Sequence, residues 1–258
     1  MKSKTPKVVL LLAGEGKRLR PYTLDRPKCM VEIDGVSLIS HQLRILRSEG
    51  LQDIVMVSGY KAEMLDQYNC KQKHNPRYFE TNMVWTLFCA KDELEGDVIV
   101  SYGDIIYSRE ILKSLLNSKA DIAVTIDKNW ESYWQKRYDN PLDDAETLKI
   151  RDDGTISEIG QKPKSTQEIQ GQYMGLMKFS ADGIEQIKDT FDIAFKNGSL
   201  LETDVESAYM TDLIQAVINT GAPVTSIPIY EDWVEIDTVD DLVSNTTKER
   251  LSAIIDNE

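Results

Sequence analysis

The stretch Val8-Val9-Leu10-Leu11-Leu12-Ala13-Gly14-Glu15-Gly16-Lys17-Arg18-Leu19-Arg20-Pro21-Tyr22-Thr23, followed by Asp25-Arg26-Pro27-Lys28, decides how this chain is read. Residues 8–12 form a short β-branched and leucine run, the pattern of a buried strand. The chain then turns on Gly14 and Gly16, where backbone N–H groups can approach an anion with no Cβ in the way. Lys17, Arg18, Arg20, Arg26 and Lys28 crowd the next dozen residues. Strand, glycine turn and clustered cations together describe a cradle for a triphosphate. A P-loop is excluded because the Gly-Lys-Ser/Thr step is missing. A dinucleotide fingerprint is excluded because Lys17, Arg18 and Leu19 stand where its third glycine belongs.

Outward from this loop the chain alternates short apolar runs with amphipathic stretches, the pattern of an α/β fold with a mostly parallel sheet. Strands are expected at residues 31–33, 54–57, 98–102, 122–126, 173–179, 224–229 and 233–236. Helices are expected at 38–48, 61–68, 82–94 (capped by Thr81), 109–116, 182–195, 207–219 and from about 239. Residues 128–172 break the alternation: they are rich in charge and turns, and 148–150 and 156–159 flank Asp152-Asp153-Gly154, a hairpin signal. This stretch reads as an insertion covering an acceptor site within a single domain, 1–258.

The 258 residues suffice for a substantial core. A net charge of −13 argues against nucleic acid and anionic membranes as partners, and it singles out the basic N-terminal loop as a site for a small anion. Cys29, Cys70 and Cys89 are too few and too irregular for a disulfide framework or a zinc site, which fits a reducing, cytoplasmic compartment. Lys2, Lys4 and Lys7 precede an apolar run, but that run is shorter than a secretory core, and no other stretch is long enough to span a bilayer. Nothing in the sequence indicates an oligomeric state.

Residues 11–28 match the pattern L-x-A-G-x-G-x-R-L-x-P-x-T…P-K, and so resemble the sugar-phosphate nucleotidyltransferase superfamily. Three further segments resemble its choline-phosphate cytidylyltransferase branch: Glu80-Thr81-Asn82-Met83-Val84-Trp85-Thr86-Leu87, Tyr173-Met174-Gly175-Leu176-Met177-Lys178-Phe179 and Trp233-Val234-Glu235-Ile236-Asp237. The segment from Trp130 through Trp134 and Arg137 to Asn140–Leu148 is similar to the phosphoglutamine-using type. The resemblance spans essentially the whole chain. It implies a Rossmann-like nucleotidyltransferase fold and a magnesium-dependent transfer of CMP from CTP to a small phosphorylated or phosphonate acceptor, releasing pyrophosphate. A sugar-1-phosphate uridylyl- or thymidylyltransferase is the alternative in class, and a non-catalytic nucleotide-binding regulator the alternative outside it.

Such a transfer needs no histidine base, because a phosphomonoester is largely ionised near neutrality, with a second pKa of roughly 6. His41, in an expected helix, and His74, in an expected polar loop, therefore read as structural or solvated. Positioning and charge neutralisation are needed instead. Lys28, just after a rigid proline, is the first candidate for the α-phosphate, and Arg18 for the β- and γ-phosphates. Lys17, Arg20 and Arg26 read as shaping the local field. Leu12, Ala13, Gly14, Gly16 and Gly59 complete the nucleotide cradle, and Leu12 replaces the alanine usual in the family, which would tighten the space beside the base. Asp104 and Asp237 follow expected strands and are candidate magnesium ligands. Asp237 has a second reading as a helix N-cap shared with Thr238. Lys162, in Gly160-Gln161-Lys162-Pro163, resembles the family's second lysine, which holds the acceptor phosphate. Asn82, Trp85 and Trp130 are candidates for the acceptor side, with helix capping or core packing as the other reading of each. Trp130, Tyr133, Trp134 and Tyr138 beside Asp143, Asp144 and Glu146 would suit an ammonium group, or would simply pack and solvate the insertion.

Overall fold

A computed structural model describes residues 5–256; Lys2 and Lys4 lie outside the described residues. Along the first half run β1 (Lys7–Leu12), β2 (Glu32–Ile33), β3 (Val36–Ser37), α1 (Leu38–Ser48), β4 (Ile54–Ser58), β5 (Lys71–His74), α2 (Met83–Phe88), β6 (Val98–Tyr102), β7 (Ile105–Tyr107), α3 (Arg109–Asn117) and β8 (Ile122–Asp127). Then come α4 (Trp130–Arg137), β9 (Leu148–Ile150), β10 (Ile156–Ile159), β11 (Gln172–Phe179), α5 (Ala181–Asn197), β12 (Ser199–Leu200), β13 (Thr203–Asp204), α6 (Met210–Asn219), β14 (Thr225–Ile229), β15 (Trp233–Glu235), α7 (Val239–Val243) and α8 (Asn245–Asp256). No helix among the described residues is long and apolar enough to cross a membrane.

The central sheet has seven strands in the order β14-β8-β11-β6-β1-β4-β5. All neighbours are parallel except β11, which runs antiparallel to both β6 and β8. Strand β1 is buried on both faces, as a central parallel strand must be. Its period of two sends Val8, Leu10 and Leu12 into one core with Ile39 and Leu43 of α1 and Leu112 of α3. Val9 and Leu11 enter the other core with Val84 of α2, Ile184 of α5 and Leu213 of α6. The alternating apolar positions of one strand thus recruit helices to both sides of the sheet.

Several details depart from the sequence expectations. The helix expected at 82–94 ends at Phe88; the chain continues through a 3-10 turn at Lys91–Glu93 that still buries Leu94. Its N-cap is Asn82, whose side chain accepts the Met83 N–H, while Thr81 instead donates to the Arg77 carbonyl. His74 ends strand β5 and does not sit in a loop: the polar run Lys71–His74 has no apolar alternation to announce it, and it becomes a strand by pairing with β4 at the sheet edge. Residues 128–171 do lie between β8 and β11 and contain the expected hairpin, β9–β10. They also hold α4, where Trp130, Tyr133 and Trp134 recur at helical spacing and are buried.

Candidate active site

The parallel strands β1, β4 and β6 end along one edge of the sheet, where open α/β sheets gather ligands. There a cavity of about 500 Å³ opens, lined from Leu11 to Arg18 by the first loop, by Lys28, and by Gly103 and Asp104 after β6. That volume is in the range of small-molecule sites. Gly16 has φ +62°, and its Cα lies so close to Lys28 that a Cβ would stand 3.0 Å from that side chain's Cβ. The loop therefore closes directly over the lysine. Ala13, Gly14 and Gly16 line the cavity as expected, and so does Leu12. Gly59 does not: it backs the loop from behind, where a Cβ would meet Tyr78 Cβ at 2.6 Å and the Ala13 carbonyl at 2.7 Å.

Lys28, Asp104 and Asp237 meet in space. The Lys28 Nζ lies 2.5 Å from Asp104 Oδ2 and also donates to Asp237 Oδ1. The partnership depends on tertiary pairing: β15 runs antiparallel to β7, and the Ile236 N–H donates to the Asp104 carbonyl at 3.0 Å, which sets Asp237 beside Asp104. Burial alone would discharge the Lys28 ammonium, but the two carboxylates outweigh it and hold the pKa above its usual value. Asp237 is held below the usual carboxylate range, because Lys28 and Arg18 overcome the opposing effect of burial. Arg18 Nη2 lies 3.1 Å from Asp237 Oδ2, while most of its side chain stays open to solvent. Lys17 and Arg20 pair with Glu15 of the same loop, and Arg26 with the exposed Asp25 and Glu32, so these three are tied to neighbouring carboxylates.

The cap question for Asp237 is resolved by its neighbour. Thr238 caps α7, its hydroxyl accepting the Asp241 N–H at 3.1 Å, which leaves the Asp237 carboxylate to the cavity. Among the described residues no group of three or more His, Cys, Asp or Glu is arranged to hold a metal ion. Two carboxylates are what magnesium commonly takes from protein, and they fit a hard divalent cation. Asp104 Oδ1 is moreover buried with no hydrogen-bond partner, as a ligand oxygen awaiting a cation would be.

The far end of the cavity is formed by the 128–172 segment and α6. Trp134, Asp144, Glu146, Tyr173, Tyr209 and Thr211 line it. Trp134 Nε1 donates to Asp144 Oδ2 at 3.0 Å. Burial, aided by Asp212 and Asp144, pushes the Glu146 carboxyl up to about 7. Asn82 also lines the cavity while capping α2. Three expected acceptor residues are not on the cavity wall. Trp85 packs against Phe195 and under the Arg77 guanidinium. Trp130 is buried edge-on against Trp134, one turn earlier on the same face of α4. Lys162 donates to the Leu142 and Asp143 carbonyls at 2.6 and 3.1 Å, bracing the loop that carries Asp144. Of the two histidines, His41 is buried in α1 with neither ring nitrogen hydrogen-bonded, and His74 is exposed; neither lines the cavity.

Residues 8–155 match the family described as the MobA-like NTP transferase domain. The CTP:phosphoglutamine cytidylyltransferase of Campylobacter jejuni is 38% identical over 245 residues, which cover 91% of this chain and 96% of that protein. Among solved structures, the CTP:phosphocholine cytidylyltransferase of Streptococcus pneumoniae superposes with a TM-score of 0.71 at 21% identity, over 98% of this chain and 100% of that one. The inositol-1-phosphate CTP transferase of T. maritima gives 0.74 at 19% identity, over 97% and 96%. At these identities the two structures establish the fold, and the sequence matches establish kinship: the chain belongs to the MobA-like NTP transferase family and is a nucleotidyltransferase.

Proposed function

We propose that this protein transfers CMP from CTP to a small phosphorylated acceptor that carries an ammonium group, using magnesium and releasing pyrophosphate. The observation that carries the reading is the Lys28 ammonium held against Asp104 and Asp237 beneath the glycine loop. An acceptor phosphate oxygen attacks the α-phosphorus of CTP, a new P–O bond forms, and the bond to the β-phosphate oxygen breaks as pyrophosphate leaves. The acceptor arrives ionised, so the protein supplies placement and positive charge. Backbone N–H groups of the 13–17 loop face the triphosphate, Arg18 grips its outer phosphates, and Lys28 meets charge developing at the α-phosphate. Asp104 and Asp237 would hold magnesium, which when bound neutralises charge on the reacting phosphates. The 128–172 segment supplies the acceptor wall.

The acceptor end favours a cation. Asp144 and Glu146 line it together with Trp134 and Tyr173, and the cations lining the cavity, Lys17, Arg18 and Lys28, all come from the first loop and the lysine beneath it, Arg18 close enough to feel the Asp144 charge. Carboxylates among aromatic side chains are a setting that suits an ammonium group. The kinship with a CTP:phosphoglutamine cytidylyltransferase supports both the nucleotide and the acceptor class.

The test is pyrophosphate release with magnesium, crossing CTP, UTP, dTTP and ATP against phosphocholine, 2-aminoethylphosphonate, phosphoglutamine, glycerol phosphate and glucose-1-phosphate. Turnover is expected with CTP and an amine-bearing acceptor; turnover confined to glucose-1-phosphate with UTP or dTTP sinks the assignment. A second expectation concerns pH. A Glu146 carboxyl titrating near 7 is neutral below that pH and anionic above it. The KM for the amine acceptor therefore falls as pH rises through about 7, and Glu146→Gln flattens that part of the profile. Ionisation of the acceptor phosphate contributes equally to both proteins, so the difference between their profiles isolates Glu146. Identical profiles would remove it from acceptor binding.

A further inference from the structure

The most heavily engaged buried cation outside the cavity is Arg137, at the end of α4, with 4% of its side chain exposed. Its Nη1 donates to Glu235 Oε2 at 2.6 Å, and its Nε and Nη2 donate to the two oxygens of Asp241 at 2.8 and 3.3 Å. The guanidinium carbon lies 5.2–5.3 Å from the ring centres of Tyr133, Trp134 and Tyr138. Asp241 in turn accepts the Asp237 and Thr238 N–H groups at 3.0 and 2.9 Å. One arginine of the inserted segment is thus two hydrogen bonds from the backbone of a candidate metal carboxylate. It also grips Glu235, on the strand that leads into that residue.

We infer that Arg137 is a positioning residue for the metal site: through Asp241 and Glu235 it fixes the backbone that presents Asp237 to Asp104. The inference rests on the metal reading of those two aspartates. The physical argument is one of rigidity. Asp237 follows a three-residue strand and precedes a five-residue helix, elements too short to define its place alone. A planar guanidinium that engages two carboxylates at once defines both position and angle, which a lysine point charge cannot do. Trp134 stacks on the same guanidinium and also lines the acceptor end, so the acceptor wall and the metal carboxylate share one anchor.

The test is Mn2+ binding followed by EPR in wild type, Arg137→Met, Arg137→Lys and Asp241→Asn, each with α,β-methylene-CTP present. Binding of that analogue is measured separately in EDTA, and thermal melting identifies the folded variants. Partners that orient a metal ligand typically contribute about 10–100-fold in metal affinity. Arg137→Met and Asp241→Asn should fall in that range, with Arg137→Lys, which keeps the charge and loses the fork, at its tenfold end, and analogue binding in EDTA changed less than about twofold. If Arg137→Met does not fold, Arg137→Lys, which keeps the buried charge, carries the test. Unchanged Mn2+ affinity in a folded variant overturns the inference, as does an equal loss of Mn2+ and of analogue, which would make Arg137 a general support. If wild type binds the analogue neither in EDTA nor with Mn2+, the nucleotide reading fails, and the comparison is decided with Mn2+ alone.

Discussion

Lys28→Ala is expected to lower kcat by about 10³-fold, close to 4 kcal/mol of transition-state stabilisation, while nucleotide affinity changes by less than about tenfold. The split follows from where the charge sits. Arg18 and the loop N–H groups remain to hold the outer phosphates, so binding survives. What is lost is the ammonium that meets negative charge as it develops at the α-phosphorus. The variant has a second signature. In the wild type Lys28 bridges Asp104 and Asp237, and its removal leaves the two carboxylates without their shared cation. Without nucleotide, Lys28→Ala should therefore bind Mn2+ more tightly than wild type. Steady-state kinetics, nucleotide titration and EPR check the three parts. Equal losses in turnover and affinity would recast Lys28 as a binding residue and favour a protein that only senses nucleotide.

Asp104→Asn is the other large effect, expected to cost about 10²–10³-fold in metal-dependent turnover. An amide keeps the shape but gives up the charge that a hard divalent cation requires. The same change leaves the buried Lys28 ammonium with Asp237 as its remaining carboxylate, so thermal stability should fall as well. The two effects separate by adding metal: high Mn2+ restores part of the turnover and none of the apo-protein melting temperature. An unaffected rate would remove Asp104 from the metal site.

Much of the fold was legible because its signals are local. The helix at 38–48 announces itself by the spacing of Leu38, Leu43, Ile45 and Leu46, and it forms over just those residues. Strand β6 opens on the β-branched run Val98-Ile99-Val100, and the hairpin turns on Asp152-Asp153-Gly154. Strand β5 was not legible, since Lys71–His74 owes its conformation to pairing with β4 and carries no pattern of its own. Helix α4 left a weak trace in Trp130, Tyr133 and Trp134, masked by the charged residues between them. Within the 128–172 segment the sequence singled out a cluster that only part of the segment brings to the cavity. Trp134, Asp144 and Glu146 reach the cavity, whereas Trp130 and Lys162 face elsewhere on the same segment. A step of one turn, about 5.4 Å along a helix, or the path of a loop, decides such choices, and composition does not record it.

The sequence by itself determined the glycine loop over Lys28 and the α/β class. Glycine at a left-handed turn, a strand buried on both faces and a lysine fixed after proline are constraints met within about twenty residues, with little dependence on the rest of the chain. The tertiary structure alone decided which carboxylates meet that lysine. Asp104 and Asp237 lie 76 and 209 residues from Lys28 along the chain. Their convergence depends on β15 pairing antiparallel with β7 and on Arg137 tying the inserted helix to Asp241. Each of those contacts closes a long loop, whose entropy is recovered by burial and pairing in the complete fold.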